Sequence, residues 1–283
     1  CFSIVATALA WPVPTDQRPA AKAHSLLALF DNLGNRRDYL RQALAALKRL
    51  PQTQLVARSH WLETTPIGGP AGQQPFFNGA VRLDTQLDPE QLHLHAQAIE
   101  AEANRQRRER WAARTLDVDL LLYDRLVFRS ARLEIPHPRM SFCPFVLERA
   151  AAVAPWMLHP TSGWTVGRLW QRVATGPDVV AIVTTREAAG RTLQQRLTRR
   201  YALRSGQQSN DRQAPTLIVC RPDDVRQLTH ARLALLLEPP PVACPAQAVA
   251  CGPTLLLAGD DDQQSLHEAT AALESVWPCL LSG

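Results

Sequence analysis

The 283-residue chain lacks any run approaching the ~18 consecutive apolar residues of a membrane span, so a helical membrane protein is not expected. Its six cysteines (Cys1, Cys143, Cys220, Cys244, Cys251 and Cys279) are scattered, with no CxxC and no Cys/His ligand spacing. Such scattered cysteines fit free thiols in a reducing cytoplasm better than a disulfide framework or a zinc site. Aromatic residues make up only 6% of the chain, and its most arginine-rich segment holds a single Trp. Single-strand nucleic-acid binders combine charge with several stacking rings, so no nucleic-acid partner is expected. The carboxy-terminal half also has no GxGxxG and no GxxxxGK[ST].

What is present describes a globular protein long enough for two domains, 46% hydrophobic and 20% charged. The net charge of +5 is unevenly placed: residues 104–114, NRQRRERWAAR, hold five arginines, where an anionic partner is expected. The opening CFSIVATALAWPVP has an apolar stretch of signal-peptide length without a basic leading region. Residues 1–23 are therefore read as a disordered or strand-like extension.

Apolar run HSLLALF reads as a strand that turns at DNLGN into a helix, with Leu40, Ala43, Leu44, Leu47 and Leu50 at helical spacing until Pro51. TQLVARSHWLET reads as one strand, TPIGGPAGQQP as a Gly/Pro loop and FFNGAVRLDT as a further strand. In LDPEQLHLHAQAIEAEAN, Asp88 can cap a helix, Pro89 suits its first position and Gln91 completes a capping box. His93 and His95 on that helix are expected at the surface. The order is β-α-β-β-α-β, an α+β pattern of the split βαβ type. Beyond about residue 175, DVVAIVT, PTLIVC, LALLLEP and PTLLLAG are short apolar runs interleaved with helical stretches. They predict a smaller α/β domain with a parallel sheet over 176–283, following a domain over 24–175.

The stretch RWAARTLDVDLLL, residues 110–122, places two acids inside an apolar strand. Side chains two apart share a face, so Asp117 and Asp119 point one way while Leu116, Val118 and Leu120 enter a core. Two carboxylates on one face suit Mg²⁺ with substrate phosphates, and surplus arginine forks suit phosphate oxygens. A structural ion-pair cluster is the plainer alternative, and the spacing alone leaves both open.

RWAARTLDVDLLL followed by LEIPHPRMSFCPFVL resembles the 6-hydroxymethyl-7,8-dihydropterin pyrophosphokinase family, over about residues 26–173. The resemblance implies a ferredoxin-like α+β pyrophosphokinase domain that makes the pterin diphosphate and AMP from ATP. It implies that Asp117 and Asp119 hold two Mg²⁺ ions, and that Arg105 and Arg114 serve the transfer step. Gln97, Arg107, Arg110, Trp111, Arg132 and His137 match the ATP site, with Glu100 an acidic position nearby. Thr64, Phe76, Asn78 and Phe145 match the pterin pocket, where two rings sandwich the heterocycle. Phe77, facing the opposite way from Phe76, is assigned to the core.

Five positions depart from the family pattern: Phe30 and Asn104 replace glycines, Ala112–Ala113 replaces Gly-Pro, and Cys143 replaces a loop arginine that helps bind ATP. These departures raise an alternative, a catalytically weakened nucleotide- or pterin-binding module with a regulatory carboxy-terminal domain.

Overall fold

The computed structural model describes residues 22–31, 36–65, 74–103, 116–201, 203–205, 215–222, 224, 230–238, 252–257 and 262–277. The chain begins with strand β1 (Ala23–Asp31), helix α1 (Arg36–Leu47), β2 (Thr53–Arg58), β3 (Leu62–Thr64), β4 (Phe76–Thr85), α2 (Pro89–Glu102) and β5 (Asp117–Tyr123). A hairpin of β6 (Phe128–Arg129) and β7 (Glu134–Ile135), helix α3 (Pro144–Val153), a hairpin of β8 (Leu158–His159) and β9 (Trp164–Thr165), and α4 (Val166–Thr175) follow. Next come β10 (Val179–Val183), α5 (Glu187–Arg200), β11 (Arg204–Ser205), β12 (Thr216–Cys220), β13 (Leu233–Leu236), β14 (Thr254–Leu256) and α6 (Asp262–Val276). None of the helices among the described residues is long and apolar enough to cross a membrane.

The first sheet is antiparallel with order β2-β4-β1-β5, and β3 pairs with the far end of β4. The single strand expected over TQLVARSHWLET is thus two strands. Ser59 lies at the break, where its N–H donates to the Ala80 carbonyl and its Oγ accepts from the Ala80 N–H, both at 2.9 Å. A hydroxyl that takes over a ladder bond lets the chain turn without leaving a buried donor unpaired.

β1 is central in this sheet and buries both its faces, which explains its nearly continuous apolar sequence. Leu27 and Leu29 share one face with Val81, Leu83, Val118 and Leu120, and α1 and α2 cover that face through Leu40, Ala43, Leu92 and Ile99. α2 starts as its sequence dictates: Asp88 accepts from the Gln91 N–H at 2.8 Å, and the Gln91 side chain accepts from the Asp88 N–H at 3.1 Å. His93 and His95 are half-buried on this helix, not exposed as their spacing implied.

Leu26 and Ala28, on the opposite face, join a second core. It runs through Phe142, Leu147 and Trp164 into the carboxy-terminal half, where Val180, Leu235, Leu273 and Trp277 belong to the same cluster. The four apolar runs of that half form β10, β12, β13 and β14, which with β11 make a wholly parallel sheet of order β11-β12-β10-β13-β14. Polar bonds cross between the halves. Ser141 Oγ donates to the Thr254 carbonyl at 2.8 Å and accepts from the Thr254 N–H at 3.3 Å. A Cβ on Gly252, whose φ is +89°, would stand 3.0 Å from the Trp164 ring.

Candidate active site

Antiparallel partners directly opposite one another share a sheet face, so register alone assembles the candidate site. One row runs Leu62–Asn78–Phe30–Asp117 across β3, β4, β1 and β5. On one side of it lies the pair Thr64–Phe76, and on the other the row Ala80–Ala28–Asp119. Thr64, Phe76, Asn78, Asp117 and Asp119 therefore occupy one face. At ~4.8 Å per strand, Leu62 and Asp117 at the ends of the first row are about 14 Å apart.

Each end of this face has its own chemistry. Asn78 is 1% exposed, and its side-chain amide donates to Thr64 Oγ1 at 2.5 Å and to the Leu62 carbonyl at 3.4 Å. These bonds fix the amide's orientation, so its carbonyl oxygen has a set direction. The first turn of α3 brings Phe145 against Phe30, with ring centroids 6.0 Å apart and planes at 85°. Phe77, by register on the other face, packs with the α1–α2 core beneath the Arg37 guanidinium.

At the β5 end, Asp117 is 5% exposed and Asp119 is half-buried. Leu116, Val118 and Leu120 go into the helix-covered core, as strand alternation requires. β5 is an edge strand, and a buried Glu100 Oε1 on α2 accepts from the Val118 N–H at 2.8 Å, between the two aspartates. Gln97 stands one helical turn before Glu100 and is half-buried. His137 follows the β6–β7 hairpin and is tied to β5 by its N–H, which donates to the Leu121 carbonyl at 2.9 Å. Its Nδ1 accepts from the Arg139 N–H at 3.4 Å, and Met140 N–H donates to its carbonyl. Arg132 is on the exposed turn of that hairpin, where its N–H donates to Ser130 Oγ at 3.3 Å. Arg105, Arg107, Arg110, Trp111 and Arg114 lie outside the described residues.

Two departures from the family pattern acquire a geometry. Phe30 sits in the central row between Asn78 and Asp117, a position that the pairing register establishes. Cys143 precedes α3 and is buried, with Ser275 Oγ of α6 at 3.6 Å. Burial pushes its thiol up to about 12, so it stays neutral and does not substitute for an arginine's charge.

Comparison with known proteins now decides the lineage. The family described as 7,8-dihydro-6-hydroxymethylpterin-pyrophosphokinase matches residues 26–155. A Pseudomonas aeruginosa 2-amino-4-hydroxy-6-hydroxymethyldihydropteridine pyrophosphokinase is 44% identical over 134 residues, which span 47% of this chain and 82% of that protein. This chain belongs to the pyrophosphokinase family. The Synechocystis pyrophosphokinase is 36% identical over 162 residues, covering 57% of this chain and 82% of its own length. The Bacillus subtilis pyrophosphokinase is 40% identical over 127 residues, covering 45% and 75%. Among solved structures, a wild-type Plasmodium falciparum HPPK-DHPS with pteroate aligns at 10% identity and a TM-score of 0.42. That alignment covers 80% of this chain and 59% of the other. The pyrophosphokinase match ends before β10, and the two-carboxylate face of β5 lies inside it. Hard carboxylate oxygens on one strand face are a donor set that fits Mg²⁺ shared with phosphates.

Proposed function

We propose that the first sheet's site transfers the pyrophosphoryl group of ATP to 6-hydroxymethyl-7,8-dihydropterin, giving the diphosphate ester and AMP in folate biosynthesis. The observation that carries this reading is the register that sets Thr64, Phe76, Asn78, Asp117 and Asp119 on one face beneath Phe145. The pterin ring would lie against Phe76 and Phe145, while Asn78 and Thr64 read its donor and acceptor edge. The hydroxymethyl oxygen then attacks the β-phosphorus, the bond to the α-phosphate oxygen breaks and AMP leaves. Two Mg²⁺ held by Asp117 and Asp119 would neutralise the phosphate oxygens.

Gln97, Arg107, Arg110, Trp111, Arg132 and His137 are assigned to ATP, and Arg105 and Arg114 to the transferring group. Catalysis by such a set rests on positioning and charge complementarity. The strand order β2-β4-β1-β5 supports a ferredoxin-like assignment for this unit. The same proposal divides the chain functionally into 24–175 and 176–283 and places it in the cytoplasm.

Incubation with ATP, Mg²⁺ and the pterin tests it: AMP should appear in step with the pterin diphosphate. Replacing Asp117 or Asp119 with Ala should abolish release, and a fully active double variant would refute the metal assignment. A second reading, a catalytically weakened binding module, is favoured by the ring of Phe30 in the central row and by the buried, neutral Cys143. Tight binding of both substrates with no AMP would select it.

A further inference from the structure

The second sheet carries a cleft that the pyrophosphokinase reading does not use. It has a volume of about 790 Å³ and opens beside α5 where β10 and β12 end, lined by Thr184, Thr185, Arg191, Thr198, Arg199 and Arg221 among others. In parallel α/β sheets ligands gather at the carboxyl ends of the strands, and this volume is that of a small-molecule site.

The turn after β10 and the first turns of α5 read Thr185-Arg-Glu-Ala-Ala-Gly190-Arg191-Thr192. The spacing of this stretch matches GxxxxGK[ST], with Thr for the first glycine and Arg for the lysine, but the helix already starts at Glu187 and the Gly190 N–H donates to the Arg186 carbonyl at 3.1 Å, so a short turn stands where that motif has a loop. The glycine it keeps is sterically required. A Cβ on Gly190 would meet Thr184 Cγ2 and Val219 Cγ1 at 2.8 Å, so only glycine lets α5 approach the ends of β10 and β12 this closely. Arginine in place of lysine exchanges a point charge for a fork that suits phosphate oxygens.

The turn before the helix is held from the neighbouring strand. Glu238, just after β13, accepts from Thr184 Oγ1 at 2.7 Å, Thr185 Oγ1 at 2.6 Å and Arg186 Nε at 2.9 Å. Within the cleft, the first-turn Glu187 accepts from Arg191 Nε at 3.1 Å. This is an exposed pair one helical turn apart, and its guanidinium is a donor of the kind a phosphate would take. Thr192 turns its hydroxyl back to the Ala188 carbonyl at 2.9 Å, and β12 ends in Cys220 where a carboxylate would be needed to hold a metal. Both features speak for binding without hydrolysis.

We propose that this cleft binds the phosphate chain of a nucleotide, with Arg191, Arg199 and Arg221 as its cationic wall. Titration calorimetry of the full chain carrying Asp117→Ala and Asp119→Ala, in EDTA, separates it from the first site. ADP should bind saturably, and Arg199→Ala with Arg221→Ala should weaken it at least tenfold. Glu187→Gln should tighten it by about two- to fivefold by freeing Arg191. Tripolyphosphate should bind more weakly than ADP if the base and sugar are also held. ADP affinity unmoved by the arginine changes, or unmoved by Glu187→Gln, would overturn the site. Tripolyphosphate binding more tightly than ADP would overturn its assignment to a nucleotide.

Discussion

Asn78 does two jobs with one amide: its nitrogen donors close the β3–β4 end of the sheet through Thr64 and Leu62, and that closure aims its oxygen. Phe145 completes the same end from above through its edge contact with Phe30. Removing that ring by Phe145→Ala should raise KM for the pterin about two- to tenfold, as loss of a stacked aromatic is worth roughly 0.5–1.5 kcal/mol. Steady-state kinetics with ATP saturating would show it, and an unchanged KM would place the pterin elsewhere. The split between Asp117 and Asp119 on one side and Leu116, Val118 and Leu120 on the other was legible from alternation, because a strand has a fixed period of two. The place of Phe30 in the central row was not legible, because it depends on which residues of three other strands stand opposite one another. The role of Glu100 was likewise hidden: sequence put it near the site but gave no reason for its bond to the Val118 N–H.

At the scale of elements, β5 is both the carrier of the paired aspartates and an edge strand, so something must satisfy its outward N–H groups. α2 supplies Glu100 for this. Glu100→Ala leaves the buried Val118 N–H without that acceptor and should cost about 1–3 kcal/mol, while Glu100→Gln keeps an oxygen and should cost less. Denaturant unfolding of the two variants checks the order. α2 itself was readable from Asp88, Pro89 and Gln91, since capping is local chemistry. The break between β2 and β3 was not, because it follows from a bond between Ser59 and Ala80, a partner remote in sequence. Gly79 belongs with this break: a Cβ there would stand 2.2 Å from the Trp61 ring, which follows Ser59 by two residues. Gly79→Ala should destabilise the protein by about 1–3 kcal/mol through overpacking, seen as a lower denaturation midpoint.

Across the whole molecule, the two sheets are distinct in topology but share one apolar cluster, through α3 and the β8–β9 hairpin. A fragment ending at residue 175 would expose the part of that cluster now covered by Leu273, Val276 and Trp277. It should unfold at a lower temperature than the full chain. His159 lies in the same hairpin, buried and accepting from the Ser162 N–H at 3.2 Å. Burial lowers its folded-state value from 6.5 to about 4. The unfolded chain therefore binds the extra proton first, and stability is lost as pH falls from about 6.5 towards 4. Thermal midpoints measured across that window should decline, and His159→Gln should flatten the decline.

The most direct test of the central claim is AMP release by the full chain with ATP, Mg²⁺ and 6-hydroxymethyl-7,8-dihydropterin, run beside Asp117→Ala and Asp119→Ala. The account predicts pterin-dependent AMP from the natural sequence and none from either variant. AMP release that persists in both variants, or that does not depend on the pterin, would contradict it.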